Sequence, residues 1–426
     1  MSRAVVLFTR DLRTHDHPAL AAAAREHDEV VPLFVLDPRL ARSANRVAFL
    51  RDALADLRAR LDGALAIRRG DPAAAVASLR PDCVYLTSDV GGVAARRLRR
   101  LQSVARVRAL PGGSIVEPGE LSPAGGGCYR VFTPYWRAWR DAPWRELEPP
   151  PAGLELPRDV EPGTLPPLSE LVGRSPSPGL PRGGESEGRR RLEAFLARGL
   201  RTYAETRDLP AVEGTSRLSP YLRFGCVSPL EVALRAISLG DEAFARQLAW
   251  RDFYRQLLAA YPSLATVDYR PRRSSWREDP VALEAWKAGR TGIPIVDAGM
   301  RQLRAEGWVH NRVRMLVSSF LVKSLGIDWR SGAAHFSALL VDGDPASNAG
   351  NWQWVAGTGT DTRPNRVLNP LRQAHRFDAD GAYVRRFVPE LADLGAPEVH
   401  EPWRLGPLEL EARGYPPPLV EIRIGR

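Results

Sequence analysis

Four polar and aromatic side chains recur at helical spacing near the middle of the chain. Gln247, Trp250, Arg251 and Tyr254 stand at i, i+3, i+4 and i+7, so a helix would place them on one face. An amide, an indole, a guanidinium and a phenol can together stack on a planar ring and hydrogen bond to its carbonyl oxygens. The alternative is an amphipathic surface helix without a ligand.

A second group of the same kind lies further along the chain. Asn311, Arg314 and Met315 share a face of a predicted helix, and the apolar run 316–322 continues that helix. An amide beside a guanidinium and a thioether can bind the edge of a base or a flavin. A solvated arginine face above a core stripe is the alternative.

Hydroxyl groups and backbone N–H groups cluster just before a predicted helix start. The cluster comprises Thr215, Ser216, Arg217, Leu218 and Ser219. Because helix N-termini expose unpaired N–H groups and positive partial charge, the cluster predicts a phosphate site. Simple N-capping would explain Ser219 alone.

The segment 342–354 combines carboxylates, amides and indoles. Asp342 and Asp344 precede a predicted helix, and Asn348 lies one turn into it. Trp352 and Trp354 are two residues apart, so they face nearly opposite sides of that helix. The D-x-D spacing also resembles the start of a calcium loop, but the later carboxylates of such a loop are missing. We therefore predict no metal site.

The elements that must position these residues change along the chain. Short β-rich runs alternate with helical stretches in the first part, which predicts a doubly wound parallel sheet. The predicted strands are 4–8, 30–36, 64–69, 82–87 and 105–110, with helices over 18–27 and 47–61. The first strand runs into TRDLR rather than G-x-G-x-x-G, so we expect no conventional NAD-binding domain.

A stretch dense in proline, glycine and serine, 149–188, has the composition of a connector rather than a packed core. Beyond it helices predominate. We predict an α/β domain over 1–130, a linker over 131–188 and a helical domain over 189–426.

The composition indicates a globular protein with a polyanionic partner. The sequence has 60 basic and 50 acidic residues, which gives a net charge of +10, and this balance favours nucleic acid. Three cysteines (Cys83, Cys128 and Cys226) form neither a disulfide framework nor a zinc pattern. Without an export signal or a run of the ~20 apolar residues that span a bilayer, we expect a cytoplasmic protein.

Taken together, these segments resemble the photolyase/cryptochrome family. The blocks that carry the resemblance are PAVEGTSRLSPYL (210–222), WRDFYRQL (250–257), TGIPIVDAGMRQL (291–303), HNRVRM (310–315) and DGDPASNAGNWQW (342–354). The resemblance implies an N-terminal domain that can carry an antenna chromophore and a helical domain that binds FAD, active in its reduced form. It also implies light-driven repair of cyclobutane pyrimidine dimers in UV-damaged DNA.

By the same resemblance, one set of residues would bind FAD. Those implied near its phosphates are Tyr203, Thr215, Ser216, Arg217, Leu218 and Ser219. Those implied around the ring and the ribityl chain are Arg251, Asn311, Arg314, Asp342, Gly343, Asp344 and Asn348. Arg314 would pair with Asp342, and Asn348 would lie beside flavin N5.

A second set would meet the DNA. A flipped-out dimer would rest on Trp250 and Trp354, with Asn311 and Met315 beneath it. The other positions implied to face the lesion or the strand are Gln247, Tyr254, Arg207, Arg312 and Gln373. Trp352, Trp329 and Trp276 match a chain of tryptophans that passes electrons to the flavin, and core packing is their alternative role.

The sequence departs from the family pattern at two places. Gln247 stands where cyclobutane enzymes usually have a glutamate, and an amide cannot protonate the dimer, which predicts repair with a reduced quantum yield. Photolyases for (6-4) photoproducts also have glutamine there, but they carry a histidine pair where this chain has Asn311 and Met315. Asn365 stands where an aromatic residue is usual, in a slightly shorter loop.

The resemblance also bears on the antenna chromophore and on the binding partners of the protein. Ser88-Asp-Val-Gly-Gly92 occupies the region where folate-binding members have an Asn-Glu pair, which favours a deazaflavin over a folate. Asn45 and Arg46 would lie near its entrance. A blue-light photoreceptor without repair activity is the alternative of a different class. We expect no membrane association and no obligate protein partner.

Overall fold

The computed structural model describes residues 1–39, 43–271 and 275–422. Within them, the first part of the chain forms a sheet of five parallel strands in the order β3-β2-β1-β4-β5. The strands are β1 (Arg3–Leu7), β2 (Glu29–Leu36), β3 (Ala66–Arg69), β4 (Cys83–Thr87) and β5 (Val107–Leu110). The predicted strands are thus confirmed to within two or three residues at each end.

The strand order explains where a ligand can approach the sheet. The chain moves outward from β1 to β3 and then crosses to β4 on the other side of β1. In doubly wound sheets, such a reversal leaves a crevice at the carboxyl ends of the two central strands. Arg10 follows β1, and Asp89 follows β4, so both lie at this crevice.

Helices cover the sheet and form nearly all of the second half of the described chain. In the α/β part they are α1 (Pro18–Glu26), α2 (Ala44–Arg60), α3 (Pro72–Ser78) and α4 (Gly92–Gln102). The following ones are α5 (Phe132–Arg140), α6 (Leu168–Leu171), α7 (Glu185–Ala194), α8 (Tyr203–Thr206), α9 (Ser219–Phe224), α10 (Pro229–Ser238), α11 (Glu242–Ala260) and α12 (Pro280–Ala288). The remaining ones are α13 (Pro294–Glu306), α14 (Asn311–Ser319), α15 (Trp329–Leu339), α16 (Pro345–Ala356), α17 (Pro370–Phe377), α18 (Ala382–Phe387) and α19 (Pro407–Ala412).

Single turns of other helix types link or extend these elements. They are the π turns Phe195–Gly199 and Phe320–Ser324, and the 3₁₀ turns Leu200–Thr202, Pro262–Ala265, Pro389–Leu391, Glu398–His400 and Pro402–Leu405.

Capping side chains fix the starts of the helices that carry the predicted site residues. Ser228 accepts a hydrogen bond from the backbone N–H of Glu231 at 3.2 Å, as the capping-box pattern predicts. Asp241 caps α11 and Asp344 caps α16 in the same way, at 2.8 and 3.0 Å. Each cap satisfies an N–H group that the first helical turn leaves unpaired.

The predicted linker contains a buried helix. Phe132, Tyr135, Trp136 and Trp139 of α5 stand at i, i+3, i+4 and i+7, and each is at most 6% exposed. This aromatic stripe packs on α11, the helix of Trp250. Among the described helices, the proline-rich stretch that follows contains the short α6 and the first turn of α7.

Two large apolar clusters hold the helical part together. The first joins one face of the sheet with α5 and with α9 to α11. The second is built from α12 to α18 and contains Trp329 and Trp352. The long helix α11 belongs to the first cluster and contacts α16, which links the two.

Candidate functional site

A cavity opens between α14, α15 and α16. Eight of the residues that line it were predicted from the sequence: Asn311, Arg314, Met315, Asp342, Gly343, Asp344, Asn348 and Trp352. The others are Ser318, Phe336, Leu340, Ser347, Asn351 and Val355. The walls therefore offer apolar surfaces to a ring and carboxylate, amide and guanidinium groups to its edge.

An ion pair forms one wall of this cavity. The guanidinium of Arg314 donates two hydrogen bonds to Asp342, at 3.2 and 2.8 Å. The hydroxyl of Ser219 donates a third to the same carboxylate at 2.6 Å, and the Trp308 indole N–H donates to Ser219 at 3.1 Å. The Asp342 side chain is only 3% exposed. The predicted Arg314–Asp342 pair is thus present, and it joins the 215–219 cluster to the cavity.

Asn348 presents a defined group to the cavity. Its amide nitrogen donates to the carbonyl oxygen of Ala333 at 3.0 Å. Because that donor is engaged, the amide oxygen is the group left to accept a hydrogen bond from a ligand.

Asp344 connects the cavity to the α/β part of the chain. The guanidinium of Arg10 lies 2.8 Å from its carboxylate, although the two residues are 334 positions apart. Burial alone would raise the pKa of Asp344, but Arg10, Arg223 and Arg255 outweigh it and hold the pKa well below its usual range. Asp344 is therefore a fixed negative charge.

A buried group of charges surrounds this contact, and we call it the interdomain charge cluster. Its members are Arg10, Asp89, Arg97, Arg223, Arg251, Asp252, Arg255 and Asp344. Five guanidiniums thus face three carboxylates. Burial and the nearby Arg10 lower the pKa of Arg223 to about 9, and burial and Arg255 lower that of Arg251 to about 10. The cluster carries excess positive charge, which suits an anionic ligand.

The predicted lesion residues of α11 lie beside α16. The ring of Tyr254 passes over Gly350, where a Cβ atom would come within 2.1 Å of it, so glycine permits this approach. Trp250 is half-buried and lies 5.6 Å from Tyr254 between ring centroids. Gln247 is half-buried one turn before Trp250. Trp250, Gln247, Tyr254 and the half-buried Trp354 are not among the residues that line the cavity.

The three tryptophans of the predicted electron chain share one apolar cluster. Trp352 is 2% exposed and packs so closely on Gly332 that a Cβ atom there would lie 2.1 Å from its ring. Trp329 is fully buried, and its indole N–H donates to Asp268 at 2.8 Å. Trp276 is half-buried against the same cluster.

The residues implied near the flavin phosphates have protein partners already. Arg217 lies 3.1 Å from Glu306 and stacks 4.4 Å above the ring of Trp308. Ser216 accepts a hydrogen bond from the N–H of Leu218, and Thr215 is half-buried. The remaining residue, Tyr203, packs edge-on against Phe195 and Phe244, and burial raises its pKa to about 12.

The predicted strand contacts lie together on one surface. Arg312 forms an ion pair with Asp208 at 2.8 Å and stacks 4.5 Å above Phe377. Arg207 adjoins Asp208 in sequence, and Gln373 lies one turn before Phe377 on α17. Within the described residues, the buried Gln373 amide oxygen and Arg312 Nε have no hydrogen-bond partner.

Comparison with known proteins adds a family to this geometry. Residues 4–154 match the family model for DNA photolyase, and residues 244–426 match that for the FAD binding domain of DNA photolyase. A deoxyribodipyrimidine photo-lyase of Streptomyces griseus is 48% identical over 453 aligned positions, covering 100% of this chain and 98% of that relative.

The chain belongs to the DNA photolyase family. The predicted family, fold and enzyme class are therefore confirmed. A class III photolyase of Agrobacterium tumefaciens has a TM-score of 0.91 and 35% identity, over 99% of this chain and 95% of that one. An archaeal photolyase of Sulfolobus tokodaii, solved with two FAD molecules, has a TM-score of 0.88 and 33% identity, over 99% and 96%.

Sequence reasoning missed several residues around the photolyase site. Arg10 and Arg223 reach the cavity loop through Asp344 and the carbonyl oxygen of Gly343, and the pattern gave no signal for either contact. Asn45 and Arg46, expected near an antenna, bind backbone carbonyls of the helical part, at Leu339 and Leu340.

Neither a membrane-spanning helix nor a cluster of metal-binding side chains is present among the described residues. Over residues 1–39, 43–271 and 275–422, no helix is long and apolar enough to cross a bilayer. The same residues include no group of three or more His, Cys, Asp or Glu side chains placed to hold a metal ion.

Proposed function

We propose that this protein repairs cyclobutane pyrimidine dimers in DNA by light-driven electron transfer from reduced FAD. The observation that carries the proposal is the composition of one cavity. Asn348 and the Arg314–Asp342 pair, implied at the flavin, line the same hollow as Asn311 and Met315, implied at the lesion. Cofactor and substrate would therefore lie in contact, as electron transfer between them requires.

The residues present fit FAD. Phe336, Leu340 and Val355 offer flat apolar contact to a ring, while the Asn348 oxygen is left to accept a hydrogen bond from a ring N–H. When bound and excited by light, reduced FAD supplies the electron that opens the dimer. The protein binds, orients and excludes water around the two reactants.

The lesion side combines an apolar platform with amide groups. Trp250 and Trp354 would stack on the two bases, and the Met315 thioether and Asn311 amide would contact them from below. Gln247 would donate a hydrogen bond to a base carbonyl, but its amide could not protonate the dimer. The paired amide and thioether at 311 and 315 favour the cyclobutane lesion over the (6-4) photoproduct.

The DNA strand would follow the surface around Arg312. Arg207, Arg312 and Gln373 would bind phosphates, and the net charge of +10 would add long-range attraction. Binding of this kind weakens as salt rises, for undamaged and damaged DNA alike.

The proposal also keeps the predicted domains, 1–130, 131–188 and 189–426, and a cytoplasmic location.

The interdomain charge cluster supports a second chromophore at the crevice between β1 and β4. Its five guanidiniums leave positive charge that three carboxylates do not balance, so an anionic ring system would be stabilised there. The Sulfolobus relative with two FAD molecules favours a flavin-like group, and a deazaflavin over a folate agrees with the Ser88–Gly92 sequence. The absorption spectrum of protein from its native host tests this.

Repair of a defined lesion tests the main proposal. The full chain, loaded with FAD and reduced, is mixed with UV-irradiated oligothymidine under blue light, and recovery of base absorbance is followed. We expect recovery in light and none in the dark. Recovery only with a (6-4) photoproduct would reassign the lesion, and failure with both lesions while FAD still reduces in light would favour a photoreceptor.

A further inference from the structure

The stacking wall at Trp250 is built partly by the segment that the sequence assigned to the linker. Phe132, the first residue of α5, lies face to face with Trp250, with 3.6 Å between ring centroids and 7° between ring planes. Phe132 is 6% exposed, whereas Trp250 keeps part of its surface open to solvent. One face of the indole is therefore covered by protein.

This arrangement is not the one that free aromatic rings prefer. Their quadrupoles favour offset or edge-on contacts, and a centroid separation of 3.6 Å at 7° leaves almost no offset. Surrounding contacts must therefore hold the two rings face to face. The guanidinium of Arg246 lies 5.3 Å from the Phe132 centroid, where a cation on the ring face is favourable.

Hydrogen bonds between α11 and the predicted linker supply that constraint. The Trp139 indole N–H donates to the carboxylate of Asp252 at 3.0 Å, two residues after Trp250. The Gln256 amide donates to the carbonyl oxygen of Tyr129 at 2.7 Å. Both bonds are buried or half-buried, so α5 is fixed to α11 on either side of Phe132.

Two further rings pack against the indole. Phe253 meets Trp250 edge-on at 5.6 Å, and Tyr254 is tilted by 32° at the same distance. With Phe132 on one face, the indole cannot rotate without displacing a buried ring.

We propose that Phe132 is a positioning residue for lesion recognition, because its stacking on Trp250 fixes the orientation in which the indole meets a flipped-out pyrimidine dimer. The inference rests on the proposed function and adds a role for the predicted linker. A pre-oriented indole loses less conformational freedom when the dimer binds. Removal of the Phe132 ring weakens lesion binding without a direct contact to DNA.

The test is the affinity of the FAD-loaded full chain for DNA in the dark. Two oligonucleotides of the same sequence are used, one with a single cyclobutane dimer and one undamaged. For Phe132→Leu we expect binding of the damaged strand to weaken on the order of three- to tenfold, from the ordering cost of one aromatic side chain. Binding of the undamaged strand stays unchanged, because phosphate contacts do not involve this ring.

Three further variants separate positioning from general damage. Phe132→Tyr keeps the ring, so this variant retains the preference for the dimer that Phe132→Leu loses. In a Trp250→Ala background, Phe132→Leu has no additional effect, because the indole that it orients is gone. Phe387→Leu, which removes a ring that packs at a tilt against Tyr383 in α18, serves as the control and leaves the preference intact.

The possible failures are distinguishable. If the unmodified protein does not prefer the dimer, the proposed function fails. If it does, the positioning role is overturned by an unchanged preference in Phe132→Leu, by equal weakening for both strands, or by tighter lesion binding, which would mean that Phe132 occupies the lesion's place. Should Phe132→Leu not fold, Trp139→Phe, which loses the bond to Asp252 and part of a buried ring, must weaken the preference in the same direction.

Discussion

Replacing Asp342 by asparagine removes one charge from the buried pair that forms the cavity wall. The carboxylate accepts hydrogen bonds from both terminal nitrogens of Arg314 and from the Ser219 hydroxyl, and it is 3% exposed. An asparagine of the same shape can accept only part of this set and leaves the guanidinium without a counter-charge.

The size of the effect follows from the burial of the two partners. Breaking a fully buried ion pair costs about 3–5 kcal/mol. Because the Arg314 side chain is 24% exposed, it recovers some hydration, and we expect the free energy of unfolding to fall by about 2–3 kcal/mol. FAD affinity should fall as well, since the displaced guanidinium borders the cavity.

Urea unfolding of the full chain, with and without FAD, measures the stability change, and FAD fluorescence titration measures the affinity. In a double-mutant cycle, Asp342→Asn and Arg314→Met should show a coupling energy of about 2 kcal/mol. Asp393→Asn is the matched control, because it breaks an arginine pair whose carboxylate is 66% exposed and should leave the free energy of unfolding nearly unchanged. A coupling energy below about 0.5 kcal/mol would refute the assignment of this pair as the structural wall of the cavity.

Four other changes test separate parts of the account. Trp329→Phe should slow light-driven reduction of bound FAD at least about tenfold while FAD affinity in the dark is retained, because a phenyl ring is harder to oxidise than an indole; unchanged photoreduction would remove Trp329 from the electron path. Gln247→Glu should raise the yield of repaired dimers per absorbed photon, and an equal or lower yield would count against the role given to the amide. Arg312→Gln should weaken damaged and undamaged DNA equally and reduce the slope of log affinity against log salt by about 1, as for one lost phosphate contact; a loss confined to damaged DNA would contradict this. Burial lowers the pKa of His310 from 6.5 to about 4, because it outweighs the attraction of the nearby carboxylate. The folded chain therefore resists protonation, and its stability falls as the pH falls from about 6.5 to 4. His310→Asn should remove up to about 3 kcal/mol of that pH dependence in urea unfolding, and an unchanged pH dependence would contradict this reasoning.

The periodic parts of the fold were predictable from the sequence. Strand and helix spacing located β1 to β5 because parallel strands buried on both faces are continuous apolar runs. The aromatic stripe of α5 has the same helical spacing, but its proximity to the proline-rich stretch led to its assignment to the linker.

The site was predictable where its residues come from one helix. Asn311, Arg314 and Met315 line the cavity together because one helical turn brings them to the same face. The contact between Arg10 and Asp344 could not be predicted, because it joins residues far apart in the chain and depends on how the α/β part packs on the helical part. The stack of Phe132 on Trp250 escaped for the same reason.

The lifetime of excited reduced FAD in the full chain tests the central claim most directly. If cofactor and lesion share one cavity, addition of a dimer-containing oligonucleotide opens a new route for electron transfer, and the flavin fluorescence lifetime shortens. Undamaged DNA of the same sequence leaves the lifetime unchanged. An equal lifetime with damaged DNA at saturation would mean that FAD and the dimer do not meet in this cavity.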